Sequence, residues 1–365
     1  MRLAAFRHLV PFLLLSSPFA AASTSKPSPS TPAPKPLYRD PIHDGAADPV
    51  VIWNPHVQRW WMFYTNRRAN VPHLSGVAWV HGTPIGIAES SDNGTTWSHL
   101  GVAHIDLPAS LASTEPTLWA PHVLSVSNPE RNLLGYTSPA ASDAPGVVHH
   151  MFLTVVPGVF EDWRHPRSIV HLTSTDLRTW SNPRPLALAS DRVIDACVFP
   201  LPSGGWRLWY NNERDRKSIY HADSPDLVTW TDRGKTTGVG DRPGEGPYVF
   251  RWRGRNWMIV DLWKGLGVYH SPDLENWTPQ AGDLLAAPGR GPDDGVIGGH
   301  ACVIVNEAED RAFLFYFTHP GRTSPNPPDP HSRELRRSSL QVVELREEHG
   351  VLTCDRDSPT FVRLR

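Results

Sequence analysis

The sequence predicts an all-β fold, a five-bladed β-propeller with four-stranded antiparallel blades, and three observations predict it. A Ser-Asp turn tag closed by tryptophan occurs four times, an aromatic strand occurs five times, and helix signals are sparse. With 37 prolines and 27 glycines punctuating short runs of Val, Ile, Trp, Tyr and Phe, the chain reads as short strands joined by turns.

In chain order, basic Arg2, Arg7 and His8 precede an apolar run from Leu9 to Leu15 and small residues from Ala20 to Ser23. This pattern reads as a secretory signal peptide over 1–22, cleaved near Ala22, and places the protein outside the cell or in a periplasm. Pro11, Ser16, Ser17 and Pro18 interrupt the run, which is too broken for a membrane anchor. Residues 23–36 are almost entirely Ser, Thr, Pro, Ala and Lys and read as an extended linker. Residues 37–365 are left for the propeller.

The tags are SSDNGTTW ending at Trp97, STDLRTW at Trp180, SPDLVTW at Trp230 and SPDLENW at Trp277. Asp92, Asp176, Asp226 and Asp273 can bond their own backbone in a turn, while each closing tryptophan packs back between sheets. The closing tryptophans stand 83, 50 and 47 residues apart. Repeats of about 40–50 residues with several strands each are the mark of propeller blades. The long first interval implies one blade with an insertion. Upstream of each tag lies an aromatic strand: 59–65, 132–138, 206–211 and 256–263. A fifth, AFLFYFT at 312–318, lacks a tag but precedes the strand-like SLQVVEL. The outermost strand of the fifth blade could come from residues around Tyr38 or from Val351 to Cys354.

One strand further upstream lies the innermost strand of each blade, whose start faces the central axis. Those starts are Asp48, Trp119-Ala120-Pro121, Asp195, Glu245 and His300, each 14–16 residues before the tyrosine of its aromatic strand, with Ile259 taking the Tyr position in blade four. Blades one, three, four and five thus present Asp, Asp, Glu and His to one axis. Taken singly, an Asp before Pro or a Glu between glycines is an ordinary turn residue. In a recurring register, a ring of like charges stabilises nothing and points to chemistry.

Glycosidic hydrolysis needs a carboxylic acid to protonate the leaving oxygen and a carboxylate to activate water or attack the anomeric carbon. Asp48 is the candidate base and Glu245 the candidate general acid with a raised pKa. Asp195 is the candidate modulator, whose negative charge keeps Glu245 protonated.

These positions resemble the clan of five-bladed propeller glycoside hydrolases (families 43, 62, 32, 68 and 117), and within it family 43. The resemblance runs from Pro41 to Leu345. It is carried by Asp48-Pro49, Trp119-Ala120-Pro121, Asp195, Gly244-Glu245-Gly246-Pro247 and Gly299-His300-Ala301. It implies an inverting mechanism with base, modulator and acid at Asp48, Asp195 and Glu245, and an arabinose- or xylose-type substrate from plant polysaccharide. It also implies a calcium ion on the axis held by His300 through water, although the same residue can serve as a hydrogen-bonded channel histidine without metal. No other cofactor is required. The chain departs from the family in Glu115 before the second inner strand, in His122, and in the loop PGRGPDDGVIGG before His300.

Trp53, Trp119 and Trp263 are candidates to stack on sugar, with core packing an equal reading of each. Glu115 and Arg290, with Asp293 and Asp294 of the long loop, are candidate substrate contacts. The balance of 35 basic and 37 acidic residues gives no footprint for nucleic acid or an anionic membrane. The expected partner is an oligo- or polysaccharide of plant or algal type, and the expected state is a monomer. No CxxC or HExxH spacing supports zinc. Cys197, Cys302 and Cys354 allow one disulfide in an exported protein, with the pair left open. Two alternatives stand beside the inverting hydrolase. One is a retaining fructosidase- or anhydrogalactosidase-like enzyme with Asp48 as nucleophile; the other is a non-catalytic carbohydrate-binding propeller.

Overall fold

The computed structural model describes residues 31–111, 115–126, 147–329 and 331–365. The signal peptide, most of the linker and the strand expected at 132–138 lie outside the described residues.

Five antiparallel sheets follow one another along the chain. Blade one holds β1 (Ala46–Asn54), β2 (Arg59–Asn66), β3 (Ile85–Ser90) and β4 (Ser98–Val102). A two-residue strand, β5 (His104–Ile105), then pairs in parallel with the outer edge of the next blade. Blade two holds β6 (Thr117–Val126), β7 (Val148–Val156), β8 (Ser168–Ser174) and β9 (Thr179–Pro185). Blade three holds β10 (Val193–Pro200), β11 (Trp206–Asn212), β12 (Ser218–Ser224) and β13 (Thr231–Lys235). Blade four holds β14 (Glu245–Trp252), β15 (Arg255–Asp261), β16 (Leu266–Ser271) and β17 (Thr278–Pro279). Blade five holds β18 (Gly299–Val305), β19 (Ala312–Thr318), β20 (Ser339–Glu348) and β21 (Val351–Cys354). A single turn of helix, α1 (Arg333–Arg336), lies in the β19–β20 connection. The inner strands touch in order, β1 to β6 to β10 to β14 to β18 and back to β1, so the ring is closed.

The second blade corrects one reading. The strand beside β6 is β7, and Leu153 takes the place held by Tyr64 and Tyr210 in other blades. The aromatic Tyr136 mimicked the repeat, whereas VHHMFLTVV lacks the tyrosine that marks its counterparts. The fifth blade uses both candidate closures. β21 is its outer strand, and Tyr38 adds an antiparallel bridge to Leu340 on the same edge of β20.

The tags form the turns their sequence implies. Asp176 Oδ1 accepts from the backbone of Arg178 and Thr179 at 2.8 Å each, and Asp226 and Asp273 repeat this with Val228, Thr229, Glu275 and Asn276. Each closing tryptophan then packs edge-on against the second strand of the preceding blade. The pairs are Trp97–Phe315 (6.2 Å), Trp180–Phe63 (6.0 Å), Trp230–Phe152 (5.6 Å) and Trp277–Trp209 (6.0 Å). Edge-to-face pairs contribute about 0.5–1.5 kcal/mol each beyond their buried area. Cys197 and Cys302 are buried on inner strands and Cys354 lies on β21, all three as free thiols.

Candidate active site

All five inner strands break register at the same place. One extra residue enters each ladder after Ala47, Trp119, Ile194, Glu245 and Gly299. The residue that begins the bulge is Asp48, Ala120, Asp195, Gly246 or His300. Four of these adopt left-handed backbone, with φ of 52°, 43°, 60° and 57° for Asp48, Ala120, Asp195 and Gly246. A bulge re-aims side chains, and aspartate tolerates this conformation better than most residues. The bulges thus turn Asp48, Asp195 and His300 toward one point. His300 Nδ1 lies 3.6 Å from Asp48 Oδ1 and 3.9 Å from Asp195 Oδ2.

The register also corrects the place of Glu245. Its counterpart positions are Ala47, Trp119 and Ile194, one residue ahead of the bulge, and Gly246 is the true match of Asp48 and Asp195. Sequence spacing missed this because Ile259 was aligned with the tyrosines, whereas Val260 stands opposite the bulge. Glycine at 246 has a reason: a Cβ there would lie 2.6 Å from the His300 ring, in addition to the backbone strain.

Second-strand side chains bolt three of the bulges to the blade before. Thr65 Oγ1 accepts from Ala120 N at 2.8 Å, and Thr154 Oγ1 accepts from Asp195 N at 3.1 Å. In blade four the same slot holds Asp261, whose Oδ2 accepts from His300 N at 2.7 Å and whose Oδ1 accepts from Trp263 N at 2.8 Å. Asp261 faces Glu245 across the ladder. It is a fourth carboxylate of the pocket, which repeat alignment did not reveal because the slot varies, holding Thr65, Thr154 and Asn211 in blades one to three and Phe317 in blade five.

Charge partners surround the carboxylates. Arg67 Nη2 donates to both oxygens of Asp48 at 3.1 Å. Lys217 Nζ donates to Glu245 Oε2 at 3.1 Å. Asp195 Oδ2 accepts from Gly246 N at 3.0 Å. Burial, then the charges of Glu245 and Asp48, push the Asp195 carboxyl well above the usual carboxylate range, against Lys217 and the Gly246 N–H. Burial and Glu245 likewise push Asp261 up to about 7. The pocket therefore holds protons on carboxylates at pH values where an exposed acid has lost them. The expected modulator is a negative charge, while burial and the neighbouring carboxylates favour the protonated form of Asp195.

The stacking candidates divide. Trp263 follows β15 on the side of Asp48 and is 43% exposed, with Lys217 Nζ 5.1 Å from its ring centre. Trp119 is buried at 9% exposure, its Nε1 donating to Val80 O at 2.6 Å, so it forms wall rather than platform. Trp53 stands at the opposite end of β1, against Trp60 and beneath Arg365, away from the carboxylates. Strand length separates it from Asp48, which position near a strand end could not reveal. Trp163, in the β7–β8 loop, is 51% exposed and lies 6.1 Å from the Trp119 ring. No repeat marks it, and sequence reading passed over it.

Glu115 sits on the rim, its Oε1 accepting from Arg68 Nη1 at 3.1 Å. The long loop is occupied with other segments of the chain. Arg290 pairs with Asp357 at 3.0 Å, Asp293 with Arg337 at 2.9 Å, and Asp294 with Lys35 at 2.9 Å and with Arg356. None of the three has a described contact with Asp48, Asp195 or Glu245. His122 lies near His300 with Nε2 3.1 Å from Val198 O, and burial pushes its imidazole down to about 4. Among the described residues no group of three or more His, Cys, Asp or Glu side chains is arranged to hold a metal ion. Calcium takes six to eight oxygens, and one imidazole between two carboxylates already engaged by Arg67 and Gly246 does not make that cage.

No family model and no curated protein matches the chain. Solved structures do. A thermostable family-43 glycoside hydrolase is 17% identical, with a TM-score of 0.58 over 89% of this chain and 99% of its own. A GH43 β-1,3-galactosidase, solved with galactodeoxynojirimycin, is 14% identical, with a TM-score of 0.57 over 92% and 100%. A GH43_1 enzyme from Xanthomonas citri complexed with xylotriose is 13% identical, with a TM-score of 0.58 over 90% and 97%. At these identities the likeness establishes the five-bladed fold.

Proposed function

We propose that the chain is a secreted glycosidase that cleaves O-glycosidic bonds of plant- or algal-type saccharides with inversion, on an arabinose- or xylose-type substrate. One observation carries the reading: carboxylates from blades one, three and four converge beside His300, and burial plus mutual repulsion hold protons among them. The fold shared with enzymes solved with xylotriose and galactodeoxynojirimycin supports it. No described helix is long and apolar enough to cross a membrane, and the proposed partner is the saccharide alone.

Asp48, fixed by Arg67, takes a proton from a water whose oxygen attacks the anomeric carbon. Glu245 gives its proton to the departing oxygen as the glycosidic bond breaks. Asp48 then returns its proton to solvent and Glu245 recovers one, so the carboxylates end as they began. Asp195 governs how the pocket shares its protons, and Trp263 and Trp163 offer faces to the sugar.

A panel of chromogenic arabinosides, xylosides, galactosides and fructosides names the sugar. Proton NMR of the first anomer released then separates the two roles of Asp48. An inverted anomer is expected, a retained one makes Asp48 the nucleophile, and glycan binding without turnover on any sugar reduces the protein to a binding propeller.

A further inference from the structure

Lys217 has no part in the chemistry described so far, yet the chain goes to some cost to place it. It ends the tight turn between β11 and β12, where Arg216 and Lys217 both adopt left-handed backbone at φ of 53° and 56°. Such residues cost on the order of 1–2 kcal/mol each. The turn delivers Lys217 Nζ to 3.1 Å from Glu245 Oε2 and 3.1 Å from Glu213 Oε1, beside the Trp263 ring. Glu213 Oε2 in turn lies 2.6 Å from Arg167 Nε, and Arg167 faces Asp195. The result is an alternating line of acidic and basic side chains from Asp195 through Arg167, Glu213 and Lys217 to Glu245.

We propose that Lys217 is a positioning residue that sets the pH at which Glu245 gives up its proton, and hence the alkaline limit of turnover, with Glu213 dividing its charge. The inference rests on Glu245 being the general acid. Around Glu245, Asp261 approaches from β15 and Asp195 from β10, with His300 of β18 beside Asp261. An opposite charge in contact favours a carboxylate, and Lys217 is the described cation in contact with Glu245. Burial alone would depress the Lys217 ammonium, but Glu245 and Glu213 outweigh it and hold the side chain charged. The side chain is 40% exposed, so its effect is a fraction of what a buried pair would give.

The test is the pH dependence of kcat/KM on a sugar–sugar bond, whose poor leaving group demands the acid. An opposite charge in contact moves a carboxylate by about 1–3 pH units. Lys217→Met is expected to move the alkaline limb upward by about one unit, and Lys217→Arg to leave it in place. Glu213→Gln is expected to move the limb the other way, because it leaves Lys217 to Glu245 alone. Loss of activity by one factor at every pH, with the limb unmoved in Lys217→Met, overturns the inference. Should that variant fail to fold, an unmoved or raised limb in Glu213→Gln overturns it equally. Glu245→Gln separates the two levels: wild-type activity there removes the reading beneath, whereas an inactive Glu245→Gln with unmoved limbs removes this inference alone.

Discussion

At the residue scale the site is a matter of who holds the proton. Asp261 is raised from 3.8 to about 7 by burial and then by Glu245, so the folded chain keeps that proton through a range in which the unfolded chain has lost it. The stability this contributes is complete below about pH 4 and is lost as the pH rises through about 7. Asp261→Asn cannot ionise and escapes that loss, although it gives up one of two backbone donors at every pH. The stability difference, variant minus wild type, is therefore expected to shift toward the variant between pH 4.5 and pH 7.5 in urea unfolding. A difference constant with pH would mean that Asp261 does not titrate there. Asp48 and Asp195 were legible in the sequence because they open inner strands at a common register. Arg67 and Lys217 were not, since they act from loops on residues of other strands, and distance along the chain conceals that approach.

At the scale of elements, the bulge is what converts a strand start into a site. Asp195 takes left-handed backbone, and its N–H is satisfied by Thr154 of the preceding blade. Leaving that buried N–H without an acceptor costs about 1–3 kcal/mol. Thr154→Val, nearly isosteric, is expected to lower unfolding stability by that amount and to depress kcat/KM on the same substrate. Unchanged stability would show that the bolt between blades carries no weight. The four tags and the aromatic strands of blades one, three, four and five were readable because turn chemistry and tryptophan packing are local and repeat. The bulges were not, since one inserted residue leaves no compositional mark, and that single residue displaced Glu245 from its supposed register.

At the scale of the whole molecule, the ring is held shut by segments 33–38 and 351–365 meeting on blade five and reaching blade one. Ala33 N bonds Thr360 O at 2.8 Å, Tyr38 bridges Leu340, and Arg365 N reaches Asn93 Oδ1 of blade one at 2.8 Å. At the centre of this clasp Asp294 is fully buried between Lys35, Arg356 and Tyr316. Breaking a buried pair from one side costs about 3–5 kcal/mol. Arg356→Met is expected to lower the unfolding midpoint by several degrees while leaving the anomeric outcome unchanged; an unshifted midpoint would deny the clasp its role. The sequence showed five blades and two candidate closures, but only packing reveals that both are used and that the glycine-rich loop serves the clasp.

The account rests on Glu245 as the group that protonates the leaving oxygen. The most direct measurement is kcat/KM of folded Glu245→Gln against wild type on the best unactivated disaccharide, since glutamine keeps the shape and removes the proton. General acid catalysis contributes about 10²–10⁴-fold, and a loss within or beyond that range is predicted. Activity within a few-fold of wild type would contradict the assignment and move the chemistry to another carboxylate of the pocket.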